Sequence, residues 1–315
     1  MNIHPRRFAS NHWFGLTLLI FLLGGAVVLL KQALVQLEDL PKLDIREIAA
    51  LFGVNLLSFL IAGTISWHLL RSLGKNVVWS TNIALTFLGS FLNYFGPLQL
   101  GMGAKALYLK SARNICYTDF AIITGTNVLI MVLVSGFSGC AIASWKWFTE
   151  GILLTTFGIM SLAMTFSILV LPLVWRFIPR CEDSHRKWMQ TLSSAIDGIA
   201  QLWGKRRAME IAAGLVAAQY AVGGVALWLS YRITGLDIDY LVAFLIAAFL
   251  SVSNIIPLTP NNIGVSELVM GAATQLSGAD FSNGVIAGGI MRIFHLLICI
   301  MSVPYTNWQL RRLQP

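Results

Sequence analysis

The stretch Asn254-Ile255-Ile256-Pro257-Leu258-Thr259-Pro260-Asn261-Asn262-Ile263-Gly264-Val265-Ser266-Glu267 closes a run of 27 uncharged residues that begins at Tyr240. About 20 apolar residues cross a bilayer core of about 30 Å, so this run is too long for one ordinary span and too short for two. Its centre is also hostile to a continuous helix. Proline removes a backbone donor and asparagine competes for backbone groups. The pattern predicts a re-entrant hairpin over about 240–277, dipping in and returning to the same side. A second run, Asn76–Ala104, has 29 uncharged residues and is interrupted by Asn93-Tyr94-Phe95-Gly96-Pro97, then by Gly101 and Gly103. It predicts a second hairpin over about 76–104.

The whole composition agrees with a membrane setting. Of 315 residues 57% are apolar and 11% charged, with a mean hydropathy of +0.73. Soluble domains carry about 25% charge, so this chain cannot clothe itself in a solvated surface. Six further apolar runs are long enough to span: Trp13–Leu30, Ile48–Leu70, Phe120–Trp145, Ile152–Trp175, Ile211–Tyr231 and Ile293–Leu310. The first is longer than a signal-peptide core and lacks a cleavage site after it, so it is expected to be a retained span.

Charge parity favours re-entrance. The loop Arg176–Arg207 holds seven Lys/Arg and is cytoplasmic by the positive-inside rule, as is the N-terminus with Arg6 and Arg7. If both broken runs re-enter, 16 Lys/Arg lie inside, 5 outside, and Arg292 lies within the membrane. The expected fold is an all-α polytopic membrane protein. It has six full transmembrane helices and two oppositely oriented re-entrant hairpins, an inverted-repeat-like arrangement typical of transporters. Residues 1–315 are expected to form a single domain, with both termini cytoplasmic. Ser184–Gly204 has helical periodicity in Trp188, Leu192, Ala195, Ile196, Ile199, Leu202 and Trp203. It fits either an interfacial helix on the anionic leaflet or one that plugs the bundle.

No HExxH, GxSxG, Walker loop or paired acidic motif occurs, the five histidines are dispersed, and the four cysteines have no CxxC spacing. No catalytic residue, metal or cofactor is expected, and no nucleic-acid partner. The broken runs carry the candidate binding residues instead. In the second, Asn254, Pro257 and Pro260 end the inbound helix, Asn261 or Asn262 can cap the outbound one, and Gly264 permits close backbone approach. A half-helix starting there presents free N–H groups and a positive dipole end to an anion. Glu267 is the one acidic residue inside an apolar run, and intramembrane ionisable groups mark function by default; a carboxylate in a first turn can equally cap its own helix. Arg292 lies at a similar depth in the last span and is expected to pair with Glu267. In the first run, Asn93, Pro97, Gly101 and Gly103 make the break. Lys105, Lys110 and Arg113 follow, able to hold a lipid phosphate or serving as ordinary positive-inside residues.

At these two segments, and at Arg292, the chain resembles the membrane region of the lysylphosphatidylglycerol synthetase/flippase family, over Trp13 to about Arg312. Ala104-Lys105 stands where that family often has an acidic residue. The resemblance implies translocation of a lipid or lipid-linked headgroup without the synthetic activity, whose soluble aminoacyl-transferring domain would follow Pro315. The leading expectation is therefore a non-enzymatic flippase of the inner membrane. Its cargo would be an anionic lipid headgroup, on an aminoacylated or plain phospholipid or on a polyprenyl-phosphate-linked sugar. With no ATP-binding loop, movement would be passive or driven by an ion gradient. Two alternatives are a non-transporting partner of cell-envelope biosynthesis enzymes and, third, a polyprenyl-phosphate-dependent transferase.

Cysteine-accessibility labelling in intact cells checks this topology. Residues introduced in Gln36–Asp44 and Thr234–Asp239 should react from outside, and those in Arg176–Arg207 only after the membrane is opened. Labelling of Asn76–Val78 and Ser111–Asn114 from opposite sides would exclude the first hairpin.

Overall fold

The first helix begins where its cap dictates. In the computed structural model, which describes residues 44–95, 99–150, 158–166, 187–255 and 259–312, the Asp44 carboxylate accepts the Arg46 N–H at 2.9 Å and starts α1 (Ile45–Ser72). There follow α2 (Trp79–Phe95), α3 (Leu100–Arg113), α4 (Tyr117–Glu150), a helical stretch 158–166, α5 (Lys187–Trp203) and α6 (Arg206–Ile233). The chain continues with α7 (Tyr240–Ser253), a 3-10 turn (Pro260–Asn262), α8 (Val265–Leu276), α9 (Phe281–Met301) and α10 (Val303–Arg311). Every regular element among the described residues is helical.

Four stretches are long and apolar enough to cross a membrane: Ile45–Ser72, Tyr117–Glu150, Arg206–Ile233 and Phe281–Arg311. The expected span Trp13–Leu30 lies outside the described residues, and Ile152–Trp175 is described only over 158–166, where it is helical. The last apolar run, Ile293–Leu310, extends upstream through Arg292 from about Asn283, as expected. Its helix starts at Phe281, a full three turns upstream, and is interrupted at Ser302, where Pro304 opens the short α10.

Polar contacts sort the helix ends into two groups. At one end Lys75, just after α1, pairs with Asp119 of α4 at 2.8 Å, and Lys205 donates to the Ser72 carbonyl at 2.6 Å. The start of α2 is at this end too, where its Ser80 accepts hydrogen bonds from Tyr305 and Gln309 of α10. At the other end Glu47 of α1 meets Arg232 of α6 at 3.4 Å, and buried Lys146 of α4 meets Asp239 at 2.7 Å. Burial alone would raise the Asp239 carboxyl, but the Lys146 ammonium and the Leu241 N–H outweigh it and hold its pKa below the ordinary carboxylate value. Tyr231 of α6 bonds Thr274 of α8 at 2.5 Å at this end.

The two broken pairs, α2–α3 and α7–α8, meet at their breaks. Gln99, in a left-handed conformation (φ 56°) before α3, donates to the Asn254 carbonyl at 3.4 Å. The break residues Pro97 and Pro257 lie outside the described residues. Asn93 bridges the first break, its side-chain oxygen accepting the Gly101 N–H at 2.8 Å. Backbones touch there: a Cβ on Gly101 would come within 1.8 Å of the Gly89 carbonyl oxygen.

Two apolar clusters fill the ends. Leu69, Leu85, Leu109, Ile122, Ile123, Leu202 and Val216 pack at the first, and Leu227, Leu245, Ile246, Phe249, Met270 and Ala287 at the second. α5 belongs to the first cluster. Leu202 is fully buried, Gly198 lies against Ile122, and Ile199 lies against Gly125 of α4. Of the two readings of the 184–204 segment, Ala195, Ile199 and Leu202 follow the second and pack onto the bundle, while Trp203 stands exposed. Elsewhere Leu57, Phe137, Leu268, Ile293 and Ile300 stand exposed, as suits a lipid-facing exterior. Trp145 and Trp147 at one end and Trp79 and Trp308 at the other form aromatic margins.

The glycine contact generates a paired test. Gly101→Ala should force α2 and α3 apart and cost about 1–3 kcal/mol or more. Gly103→Ala, exposed and with open space at its Cβ position, should be neutral or gain up to about 1 kcal/mol of helix propensity. Thermal denaturation in detergent reads both.

Candidate functional site

The second break explains the position of every polar group around it. Asn261 and Asn262 both adopt positive φ (46° and 51°), a conformation that asparagine tolerates better than most residues, and Gly264 follows at φ 83°. The chain thereby turns within a few residues and launches α8. Neither asparagine caps α8, contrary to expectation; Gly264 occupies the cap position and has no side chain to do so. Glu267 supplies the missing acceptor, its Oε2 taking the Gly264 N–H at 2.8 Å. Its other oxygen binds the Nε of Arg292 from α9. Arg292 in turn donates from its two terminal nitrogens to the carbonyls of Asn261 at 3.1 Å and Asn262 at 3.2 Å. Asn254 completes the knot, its side-chain oxygen accepting from Asn262 and from Ser266, both at 3.0 Å. Glu267 thus both caps its helix and neutralises Arg292, with only 7% of its side chain exposed.

This knot forms one wall of a cavity of about 420 Å³. Asn93, Tyr94, Gln99, Asn254, Asn261, Asn262, Ser266, Arg292 and His295 line it from the two breaks and α9. Asn55 and Ser58 of α1 and Gln219 of α6 line it from the full-length helices. These last three escaped the sequence reading. The signal for them is a lone uncharged polar residue inside an apolar span, whose burial is costly without a role. Asn55 is fully buried, and its side-chain oxygen has no hydrogen-bond partner among the described residues.

A second cavity of about 210 Å³ adjoins the first, with Thr86, Ser90, Asn93 and Met102 in both walls. It is lined further by Ser66, Gly89, Gly101, Lys105, Thr124 and Asn127. Lys105 hydrogen-bonds Ser66 Oγ at 2.9 Å and Thr86 Oγ1 at 3.4 Å.

The structure thus gathers Asn93, Gly101, Lys105, Asn254, Asn261, Asn262 and Arg292 around the two cavities. Pro260 and Gly264 shape the second break, and Glu267 stands behind Arg292. Three candidates lie elsewhere. Gly103 is exposed, and Lys110 is exposed on the outside of α3 with its ammonium 4.2 Å from the centre of the Tyr117 ring. Arg113 sits at the end of α3, with Nε and one terminal nitrogen buried and unpaired among the described residues.

The buried pair makes a definite prediction. Removing one partner of a buried ion pair costs about 3–5 kcal/mol, because a lone charge is left in a poor solvent. Glu267→Gln and Arg292→Gln should each lose stability of that order. The double variant should lose less than the sum of the two, as a double-mutant cycle of thermal unfolding in detergent would measure.

Comparison with known proteins adds the family. No curated protein and no solved structure matches the chain. The family model described as the lysylphosphatidylglycerol synthase TM region matches residues 12–302, nearly the whole length, and the chain accordingly belongs to that family of helical membrane proteins with a lipid-related function.

Proposed function

We propose that the protein translocates an anionic phospholipid or a polyprenyl-phosphate-linked headgroup across the inner membrane, without chemically altering it. The observation that carries this reading is the pair of adjoining cavities, in which polar and cationic side chains stand among apolar ones, wrapped in exposed apolar side chains. A headgroup needs a polar path, and its acyl or prenyl chains need an apolar exterior to slide along. Two cationic side chains, Lys105 and Arg292, line that path.

The reading includes two re-entrant hairpins opening to opposite sides. It is supported by the ends of each broken pair. α2 begins soon after Lys75 and α3 ends shortly before Asp119, and those two residues are bonded. α7 begins soon after α6 ends, and α8 reaches back to Tyr231 near that same end of α6. The tips meet through Gln99 and Asn254, as two half-spans entering from opposite faces would. Alternating access would then be a matter of which cavity mouth is open.

The alternative of a docking partner for cell-envelope enzymes relied on the 184–204 segment. Ala195, Ile199 and Leu202 of that helix are already packed into the bundle, which favours translocation.

The test is reconstitution of the full chain in liposomes carrying a fluorescent phosphatidylglycerol, with dithionite added outside. Active protein should render inner-leaflet label accessible, giving a second phase of quenching. A plateau identical to that of protein-free liposomes, for phosphatidylglycerol and for a polyprenyl-phosphate sugar alike, would defeat the proposal.

A further inference from the structure

We propose that the anion-recognising group of the path is Lys105 rather than Arg292, and that its uncompensated charge selects phosphate headgroups of net negative charge over aminoacylated, cationic ones. The choice of lipid cargo rests on the translocation reading above; the anion site itself does not.

The two cations differ in what surrounds them. Arg292 is fully engaged, with a carboxylate on Nε and two carbonyls on its terminal nitrogens. Its charge is cancelled by Glu267, and its geometry is set by the turn it holds. An arriving phosphate would have to dismantle that turn to use it. Lys105 has no carboxylate partner among the described residues. The sequence contains no Asp or Glu between Glu47 and Asp119, and Asp119 is already paired with Lys75. Its neighbours are two neutral hydroxyls, at 2.9 and 3.4 Å. An ammonium has three N–H donors, so one remains for a ligand.

The surroundings are built to hold an anion there. Lys105 is eight residues from the end of α3, or about 12 Å along the helix at about 1.5 Å per residue. It is therefore set back from the water interface. The cavity beside it, about 210 Å³, is several times the ~30 Å³ that a water occupies in the liquid, and accepts a phosphate group. Thr124, Ser90 and Asn127 line the same space. With the Glu267–Arg292 pair neutral, the path carries one net positive charge, at Lys105. A phosphodiester monoanion cancels it, whereas a headgroup with an added amino-acid ammonium meets repulsion.

Two measurements on the purified full chain test this. In the first, dihexanoyl phosphatidylglycerol, its lysyl ester and inorganic phosphate are titrated by calorimetry in detergent. Phosphatidylglycerol should bind more tightly than its lysyl ester. Lys105→Gln should weaken phosphatidylglycerol by about tenfold to a hundredfold, the worth of a charge-assisted hydrogen bond, and narrow the gap between the two lipids. Lys105→Arg should restore most of the affinity, and unchanged unfolding temperatures would show that the variants remain folded. Equal affinity of wild type and Lys105→Gln for phosphatidylglycerol would overturn the proposal. Inorganic phosphate binding as tightly, with the same dependence on Lys105, would keep the site and overturn its assignment to a lipid. The second measurement is liposome flux with the same variants. Lys105-dependent binding without flux would defeat translocation and leave the anion site standing. Flux of phosphatidylglycerol unchanged in Lys105→Gln would do the reverse.

Discussion

The grip of Arg292 on the second break is the interaction on which the rest of the interior depends. Away from water, every backbone N–H and C=O needs a partner within the protein. A chain whose helix ends at Ser253 and whose next α-helix begins only at Val265 leaves several of both to be satisfied. Arg292 satisfies two of the freed carbonyls, Glu267 satisfies a freed N–H, and the Asn254 side chain satisfies two further donors. The ionic pair is thus the means by which an irregular segment is tolerated where a helix would be the default. The cavity exists because the segment is irregular. A continuous helix through this region would fill the space with side chains and leave no polar wall.

Much of this was legible in the sequence because the breaks are expensive and therefore conspicuous. Prolines and asparagines in the middle of uncharged runs identify both broken pairs. The depth of Arg292 in its span, counted against that of Glu267, brings the two charges into one layer. What the sequence could not supply was the facing of individual side chains. Lys105 and Lys110 look equivalent as basic residues after a break, yet five residues of helix rotate about 140°, and only one can face the cavity. Which one depends on Gly89 and Gly101 setting the rotation of α3 against α2. The reversal at Asn261 and Asn262 was likewise hidden. Asparagine is a good cap and also tolerates positive φ, and local sequence does not decide between these uses. The apolar side of α5 was ambiguous for a similar reason, since the same periodicity serves a lipid surface or a neighbouring helix.

Apolar packing and polar lining share the walls of the two cavities. The two clusters lie towards opposite ends, with the Lys75–Asp119 pair closing one end and the Lys146–Asp239 pair the other. Between them the cavity walls carry Asn, Gln, Ser, Thr and Tyr side chains beside apolar ones such as Phe59, Leu85 and Leu227. The polar ones offer both donors and acceptors at modest burial cost, and can exchange partners as contents change.

The meeting of Gly89 with Gly101 has a mechanical consequence. Where two helices touch through side chains, small displacements are absorbed by rotamer changes. Here backbone rests on backbone, so there is no slack to take up. The Asn93 bond to the Gly101 N–H locks the same place. α2 and α3 must therefore move as one stiff wedge, and any change in the bore beside Lys105 has to come from the helices leaning against that wedge.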